Sequence, residues 1–257
     1  GKLSNINGLA VLSNSLNVSI PDVGTTTFRP PFQPISLGAI AGEARHELFK
    51  PIRKTSIHNW INANGGVWEP VADWRRPFCF QRNGESIKEA VEREIVNTRT
   101  NCGILDASTL GKILVKGPDA ARFLDMIYTN VMSNLKVGKC RYGLMCSENG
   151  FLSDDGVVAR LSDDSYLCHT TSGGSDRIHA HMEEWLQTEW WDWKVYTLNL
   201  TEQFSQIAIV GPKARQLIEK MGVDGLDLSP EGLPFMGFSE GFIAGISVRI
   251  FRISFSG

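Results

Sequence analysis

Two adjacent acidic residues lie within a segment that is otherwise typical of a β-strand. The segment reads NGFLSDDGVVARL, and its acids are Asp154 and Asp155. Side chains alternate between the two faces of a strand, so the two carboxylates point in opposite directions. Asp155 shares its face with apolar residues such as Val157, whereas Asp154 shares its face with Arg160. The pattern therefore predicts that Asp155 points toward the core and that Asp154 lies nearer to water.

Burial of Asp155 would have a chemical consequence. A carboxylate in apolar surroundings either receives dedicated hydrogen bonds or has a raised pKa. Both properties suit a group that transfers protons in an active site. The alternative is an aspartate that bonds the backbone of a turn at the start of the strand. The residues alone leave these two interpretations open.

Two other polar segments have simpler interpretations. Asp163 and Asp164 lie in LSDDSY between two strand-like segments, which predicts a hairpin turn. The segment HTTSGGSD, residues 169–176, precedes a predicted helix. It could present backbone N–H groups to an anion, although such a stretch is more often a helix cap and loop.

Composition excludes several classes of protein. The chain has 257 residues, 42% of them hydrophobic, and a formal net charge of −2. This charge argues against nucleic-acid binding, which needs a basic surface. No apolar run approaches the ~20 residues of a membrane span, and the start does not resemble a signal peptide. Five cysteines without a C-x-x-C pair predict a reducing, cytoplasmic compartment.

Familiar cofactor and metal motifs are absent from the sequence. There is no G-x-G-x-x-G after a strand and no G-x-x-x-x-G-K-[ST], so no dinucleotide or P-loop site is predicted. There is no H-E-x-x-H either. His179 and His181 are two residues apart and would point to different faces of a helix. No metal site is predicted.

Local patterns predict the elements that hold these residues. The segment ESIKEAVEREIVNTR is predicted to be a helix in which Ser86 and Glu89 form a capping box. A second helix is predicted over SDRIHAHMEEWLQTEW with Ser175 as its cap, followed by a strand in WKVYTLNL. The segments KILVKGPDAARFLDMI and QIAIVGPKARQLIEKM both read as strand, Gly-Pro and helix. They predict two related α+β halves, unless the likeness is a coincidence between ordinary turns.

Several longer motifs resemble a known family. The segments CGILDASTLGKILVKGPDA, GKCRYGLMCSENGFLSDDGVVARL and LPFM resemble the aminomethyltransferases, the T-proteins of the glycine cleavage system. GTTTFRPPFQPISLGAIAG and NANGGVWEPVADWRRP resemble more specifically the alpha subunits of heterotetrameric sarcosine oxidases. The resemblance implies an α+β, aminomethyltransferase-like folate-binding fold. In it, ferredoxin-like subdomains with repeated strand–Gly-Pro–helix units surround a central pocket.

The resemblance also implies a set of site residues. The second acid of the pair, Asp155, would lie beside the pteridine of tetrahydrofolate and would be the catalytic residue. Leu110 matches a position that lines the folate pocket, and Thr170 matches one at which aminomethyltransferases carry Asn. Arg252 belongs to a matching strand motif and is the remaining expected folate-binding residue.

The resemblance finally implies a division of the chain and a reaction. Residues 1–45 would be an extended arm, 46–203 the aminomethyltransferase-like folate-binding domain, and 204–257 the truncated start of a second α+β subdomain. The chain would transfer a one-carbon unit from oxidised sarcosine to tetrahydrofolate, giving 5,10-methylenetetrahydrofolate. Other oxidase subunits would be its partners, with flavins and NAD bound outside this chain. The alternatives are a stand-alone aminomethyltransferase and a non-catalytic docking module.

Overall fold

The computed structural model describes residues 7–19 and 52–254. They belong to two units, residues 1–51 and 52–257, which are treated separately. In the first unit, helix α1 comprises Asn7–Leu16. This part of the predicted extended arm is therefore helical, as suits a segment that includes the good helix formers Leu and Ala. The Pro- and Gly-rich part of the arm, residues 21–42, lies outside the described residues.

The second unit mixes helices with antiparallel strands. Its helices are α2 (His58–Ala63), α3 (Ile87–Thr100), α4 (Ala120–Ile127), α5 (Ser175–Gln187) and α6 (Ala214–Lys220). Its strands are β1 (Gly66–Val71), β2 (Trp74–Phe80), β3 (Gly103–Asp106), β4 (Gly111–Lys116), β5 (Cys140–Cys146), β6 (Leu152–Ser162), β7 (Ser165–Thr170), β8 (Tyr196–Asn199), β9 (Ile207–Val210), β10 (Val223–Asp224), β11 (Gly237–Ile243) and β12 (Ile246–Arg252).

A five-stranded antiparallel sheet with the strand order β5-β6-β7-β4-β8 holds the candidate site. Helices α4 and α5 cover one of its faces, where Phe123 and Met182 are fully buried. Part of the other face packs against the hairpin β11–β12, in a smaller core that includes Ala159, Leu167 and Phe251. Both faces of the sheet are thus apolar over part of their area.

The predicted helix that follows residue 85 is confirmed, including its cap. The side chain of Ser86 accepts a hydrogen bond from the backbone N–H of Glu89, and the Glu89 carboxylate accepts one from the N–H of Ser86. The cap predicted for the second helix is wrong. Gly174 is the N-cap of α5, and Ser175 is the first helical residue. The Ser175 hydroxyl is buried and bonds Thr201 Oγ1 at 2.7 Å.

The two predicted strand–Gly-Pro–helix segments are confirmed as elements. Gly117 joins β4 to α4 and Gly211 joins β9 to α6, with φ angles of 138° and 118°. A Cβ atom on Gly117 would lie 2.1 Å from the Lys194 carbonyl oxygen, and one on Gly211 would lie 2.4 Å from the Thr98 carbonyl oxygen. Both turns therefore require glycine. The division of the chain at residues 45 and 203 stays a prediction.

The predicted turn at Asp163 and Asp164 is also confirmed. Strand β6 ends at Ser162 and β7 begins at Ser165, so the two acids form the loop of a hairpin. The Ser162 hydroxyl donates to Asp164 Oδ1 at 2.8 Å. Within residues 7–19 and 52–254, no helix has the length and apolar character needed to cross a bilayer.

Candidate functional site

Asp155 lies near one end of the five-stranded sheet, on the face that the hairpin β11–β12 covers only in part. It pairs with Leu144 of β5, and its side chain is half-buried. Leu110 directly precedes β4, whose first residue, Gly111, pairs with Thr170 at the end of β7. The pairing of β6 with β7 begins at Val158, so Asp155 lies beyond its end. The assignment of Leu110 to the folate pocket stays a prediction.

Tyr142 is the side chain that directly contacts Asp155. Its hydroxyl donates to Asp155 Oδ2 at 2.7 Å, across the diagonal of the β5–β6 pair. This hydrogen bond to a carboxylate raises the pKa of Tyr142. Sequence reasoning missed Tyr142, although a signal was present. The segment CRYGLMC reads as a strand that a short turn at SENG joins to β6, so a polar side chain of this strand could be expected near the acid pair, but the register shift between Met145 and Cys146 hides which one it is.

His169 lies on the same sheet face, one strand away from Val157. Its Nδ1 donates to the Val157 carbonyl oxygen at 3.0 Å, and its ring meets Phe251 edge-on with centroids 5.5 Å apart. Burial lowers the pKa of His169 to about 4, and the positive charge of Lys112 acts in the same direction. His169 is therefore neutral near pH 7. Its Nε2 is an acceptor to which no described residue donates.

The predicted orientation of the acid pair is wrong. Asp154 is the buried residue, with 4% of its surface exposed, while Asp155 is half-buried. The alternation of side chains was right, but the choice of the inward face was not. The Asp154 face continues to Val158 in the core below α4 and α5. Since the other face also packs against apolar groups, counting apolar neighbours did not identify which acid is buried.

The loop after β7 satisfies the carboxylate of Asp154. The backbone N–H of Thr171 donates to Asp154 Oδ1 at 3.3 Å, and its hydroxyl donates to Oδ2 at 3.2 Å. The N–H of Asp155 also donates to Asp154 Oδ1, at 2.8 Å. A Cβ atom on Gly174 would lie 1.5 Å from Asp154 Oδ2. The sequence leaves open an anion site in residues 169–176, and in the structure the Thr171 donors of this segment bind the carboxylate of Asp154.

The remaining predicted site residues lie apart from Asp155. Thr170 is 2% exposed, and alternation places it on the opposite sheet face, where its hydroxyl donates to the Thr171 carbonyl oxygen at 3.0 Å. Arg252 ends β12 and donates to the Leu233 carbonyl oxygen at 3.1 Å. Neither side chain contacts Asp155. Their assignment to folate binding stays a prediction.

Lys112 supports the loop that ends at Leu110. Its buried ammonium donates to the carbonyl oxygens of Ser108 and Leu110 at 3.0 and 2.7 Å. Burial lowers the pKa of Lys112 to about 8, and the nearby Asp106 partly opposes this shift. The amine therefore fixes the backbone of residues 108–110, directly before β4.

A separate cleft of about 510 Å³ lies beside Arg53. The guanidinium of Arg53 stacks 4.6 Å from the centroid of Trp74 and pairs with Asp176 and Glu202. None of the four predicted site residues lines this cleft. Among the residues that the structure describes, no group of three or more His, Cys, Asp or Glu side chains could hold a metal ion.

Comparison with known proteins gives two family matches. The GCVT N-terminal domain matches residues 57–257, which is more than half of the chain, and the Sarcosine oxidase A3 domain matches residues 1–43. The chain is 46% identical over 259 residues to sarcosine oxidase subunit alpha of Corynebacterium sp. strain U-96, and 42% identical over 260 residues to that of Rhizobium meliloti strain 1021. These matches cover 100% of this chain but only 27% and 26% of the two relatives.

A solved structure shows the same fold. The glycine cleavage system aminomethyltransferase T from Bartonella henselae matches with a TM-score of 0.64 and 22% sequence identity. The match covers 74% of this chain and 48% of that one. This likeness confirms the predicted α+β, aminomethyltransferase-like fold class. Together with the match over residues 57–257, it supports one conclusion: the chain belongs to the GCVT N-terminal domain family.

Proposed function

We propose that this chain is the folate-binding part of a sarcosine oxidase alpha subunit and transfers a one-carbon unit to tetrahydrofolate. The relatives that match along the whole chain carry the name sarcosine oxidase subunit alpha. One structural observation carries the assignment of the site. Asp155 is a half-buried carboxylate that Tyr142 holds through Oδ2, while no described residue donates to Oδ1.

The surroundings of Asp155 suit a flat, partly polar ligand. Leu144, opposite Asp155 on β5, and the ring of Tyr142, two residues along the same strand, offer exposed apolar surface beside the carboxylate. Oδ1 of Asp155 and Nε2 of His169 are two acceptors on one sheet face, and a reduced pterin carries several N–H donors that could meet them. The donor groups and apolar surface of tetrahydrofolate thus fit the residues present.

The proposed reaction requires protons to be moved. Oxidised sarcosine is an iminium ion, CH₂=NH⁺–CH₂–COO⁻. As N5 and N10 of tetrahydrofolate each bond to its methylene carbon, the bond from that carbon to the glycine nitrogen breaks. Glycine leaves with the two protons that N5 and N10 lose. Asp155 would accept one of these protons and pass it on, with Tyr142 fixing the orientation of the carboxylate. A positioned acid–base group contributes about 10²–10⁴-fold to such a rate.

The oxidation step belongs elsewhere in this proposal. The chain spans only about a quarter of the length of the relatives that it matches. Flavin and NAD would be bound by other parts of the assembly, and other oxidase subunits would be partners of this chain. The role of this site is to capture the reactive carbon before water does.

The test uses the complete oxidase complex with Asp155→Asn. The measurement is the amount of 5,10-methylenetetrahydrofolate formed per sarcosine consumed, at saturating tetrahydrofolate. We expect the rate of folate-dependent product formation to fall by ~10²-fold or more. Sarcosine consumption should be unchanged, because the flavin step does not use this residue, and free formaldehyde should accumulate instead.

Matched variants make the result specific. Tyr142→Phe should lower the folate-dependent rate by roughly tenfold, as expected for loss of one hydrogen bond to a charged group. Asp163→Asn, in the hairpin turn, should leave the rate unchanged. If Asp155→Asn keeps both the product yield and the affinity for tetrahydrofolate, the proposal is wrong. Activity with a lipoylated carrier protein and no flavin subunit would instead favour a stand-alone aminomethyltransferase.

A further inference from the structure

The strand segment that carries Asp155 is fixed by a side chain from helix α5. Arg177 lies in the first turn of this helix. Its Nη1 donates to the hydroxyl of Ser153 at 2.6 Å, and its Nη2 donates to the carbonyl oxygen of the same residue at 2.7 Å. Arg177 therefore binds the hydroxyl and the carbonyl oxygen of a residue two positions before Asp155.

The buried Asp154, a neighbour of Arg177, restrains the same segment. Its Oδ1 accepts the backbone N–H of Asp155, so it restrains the peptide to which that residue belongs. The two bonds from Thr171 tie Asp154 to the loop before α5. Nη2 of Arg177 lies 3.7 Å from Asp154 Oδ2, and the Asp154 side chain is 1% exposed. The carboxylate and the guanidinium thus act on adjacent peptide groups.

This end of β6 has few other restraints. Leu152 and Phe151 are largely exposed, so packing does not hold the strand there. The pairing of β5 with β6 is irregular between Met145 and Cys146, opposite this segment. Strand β5 pairs with this segment, whereas the pairing with β7 begins only at Val158. Hydrogen bonds from Arg177 and Asp154 therefore add a restraint to a segment that the sheet holds along one edge.

We infer that Asp154 and Arg177 are positioning residues that hold the Asp155 carboxylate in its productive orientation. This inference rests on the proposed function of Asp155. Neither residue is required to touch the substrate, since both act on the backbone at residues 153–155. A misplacement of about 1 Å at a reacting group can cost ~10²-fold in rate. Loss of either restraint should accordingly lower the rate of the chemical step more than the binding of folate.

The test measures kcat and KM for tetrahydrofolate in the complete complex carrying Arg177→Met, Arg177→Lys or Asp154→Asn. We expect kcat of Arg177→Met and Asp154→Asn to fall by ~10-fold or more, with KM within twofold of the wild-type value. Arg177→Lys keeps one donor for Ser153 and should lie between the wild type and Arg177→Met. Arg99→Met, an exposed arginine on α3, is the matched control and should leave both parameters unchanged.

The outcomes separate this inference from the proposed function. Unchanged product formation in Asp155→Asn contradicts the proposed function itself. A large loss in Asp155→Asn together with kcat within twofold of wild type in Arg177→Met and Asp154→Asn overturns the inference alone. A third outcome is that Asp154 and Arg177 act only in folding. In that case kcat per folded complex, with the folded fraction measured by circular dichroism, would equal the wild-type value. That result would overturn the inference as well.

Discussion

Gly174 is the position at which one methyl group should have the largest effect on the loop before α5. Its backbone angles, φ −89° and ψ −22°, are open to any residue, so Gly174→Ala introduces no backbone strain. The new Cβ atom would lie 1.5 Å from Asp154 Oδ2. To reach ordinary van der Waals distance, the carboxylate must move by roughly 2 Å. This movement breaks the bond from the Thr171 hydroxyl and the pairing with Arg177.

The magnitude follows from the interactions lost. The hydrogen bond from the Thr171 hydroxyl to a charged group contributes about 1.5–3 kcal/mol. The ion pair with the half-exposed Arg177 contributes about 0–1 kcal/mol. Replacing Gly with Ala also restricts the unfolded chain, which stabilises the native state by about 0.4–1 kcal/mol. We therefore expect Gly174→Ala to lower the free energy of unfolding by ~1–3 kcal/mol. The measurement is urea unfolding followed by tryptophan fluorescence and far-ultraviolet circular dichroism.

Two controls isolate the cause. Gly173→Ala changes the adjacent residue, where the new Cβ atom would lie 3.2 Å from Ala72 Cβ, and should cost less than ~1 kcal/mol. In an Asp154→Ala background the carboxylate is absent, so adding Gly174→Ala should cost little more. The double-mutant cycle should then give a coupling energy of ~1 kcal/mol or more between the two positions. Additive effects of the two substitutions would refute the steric reasoning.

Two further predictions concern the helix cap and the buried imidazole. Ser86→Ala should lower the free energy of unfolding by ~1 kcal/mol in urea, since it removes the acceptor for the Glu89 N–H, whereas Ser133→Ala on the surface should have no effect. For His169, the folded-state pKa of about 4 lies below the ordinary value near 6.5, so the unfolded chain binds more protons between these values. Stability should fall by up to ~3 kcal/mol as pH is lowered through this window, and this slope should be absent in urea titrations of His169→Gln.

The parts of the fold that depend on neighbouring residues could be predicted from the sequence. The capping box of α3 involves residues three positions apart, and each Gly-Pro turn joins a strand directly to its helix. Both were therefore readable as local patterns. The helical state of Asn7–Leu16 was missed because the Pro-rich stretch that follows dominated the interpretation of the whole arm.

The candidate site depends on information that a single strand does not contain. Alternation correctly separated Asp154 from Asp155, but which face is buried depends on what covers the sheet. Helix α5 and the hairpin β11–β12 lie outside β6, and each covers one face. The loop that contains Thr171 is recognisable in the sequence as a polar segment. Its contact with Asp154 is not, because that contact depends on how β6 and β7 pair.

The satisfied carboxylate of Asp154 also has a consequence for how strand β6 finds its alignment. A slip of one residue moves every side chain of a strand to the opposite face. In β6 a slip in one direction would simply put Asp155 in the place of Asp154. A slip in the other direction would place Ser153 before the donors of Thr171 and move Asp155 to the position of Gly156, on the helix-covered face, where an unpaired charge costs several kcal/mol. Pairings misaligned in this second direction should therefore be sparsely populated during folding, so the acid pair helps to select the register that leaves Asp155 facing outward.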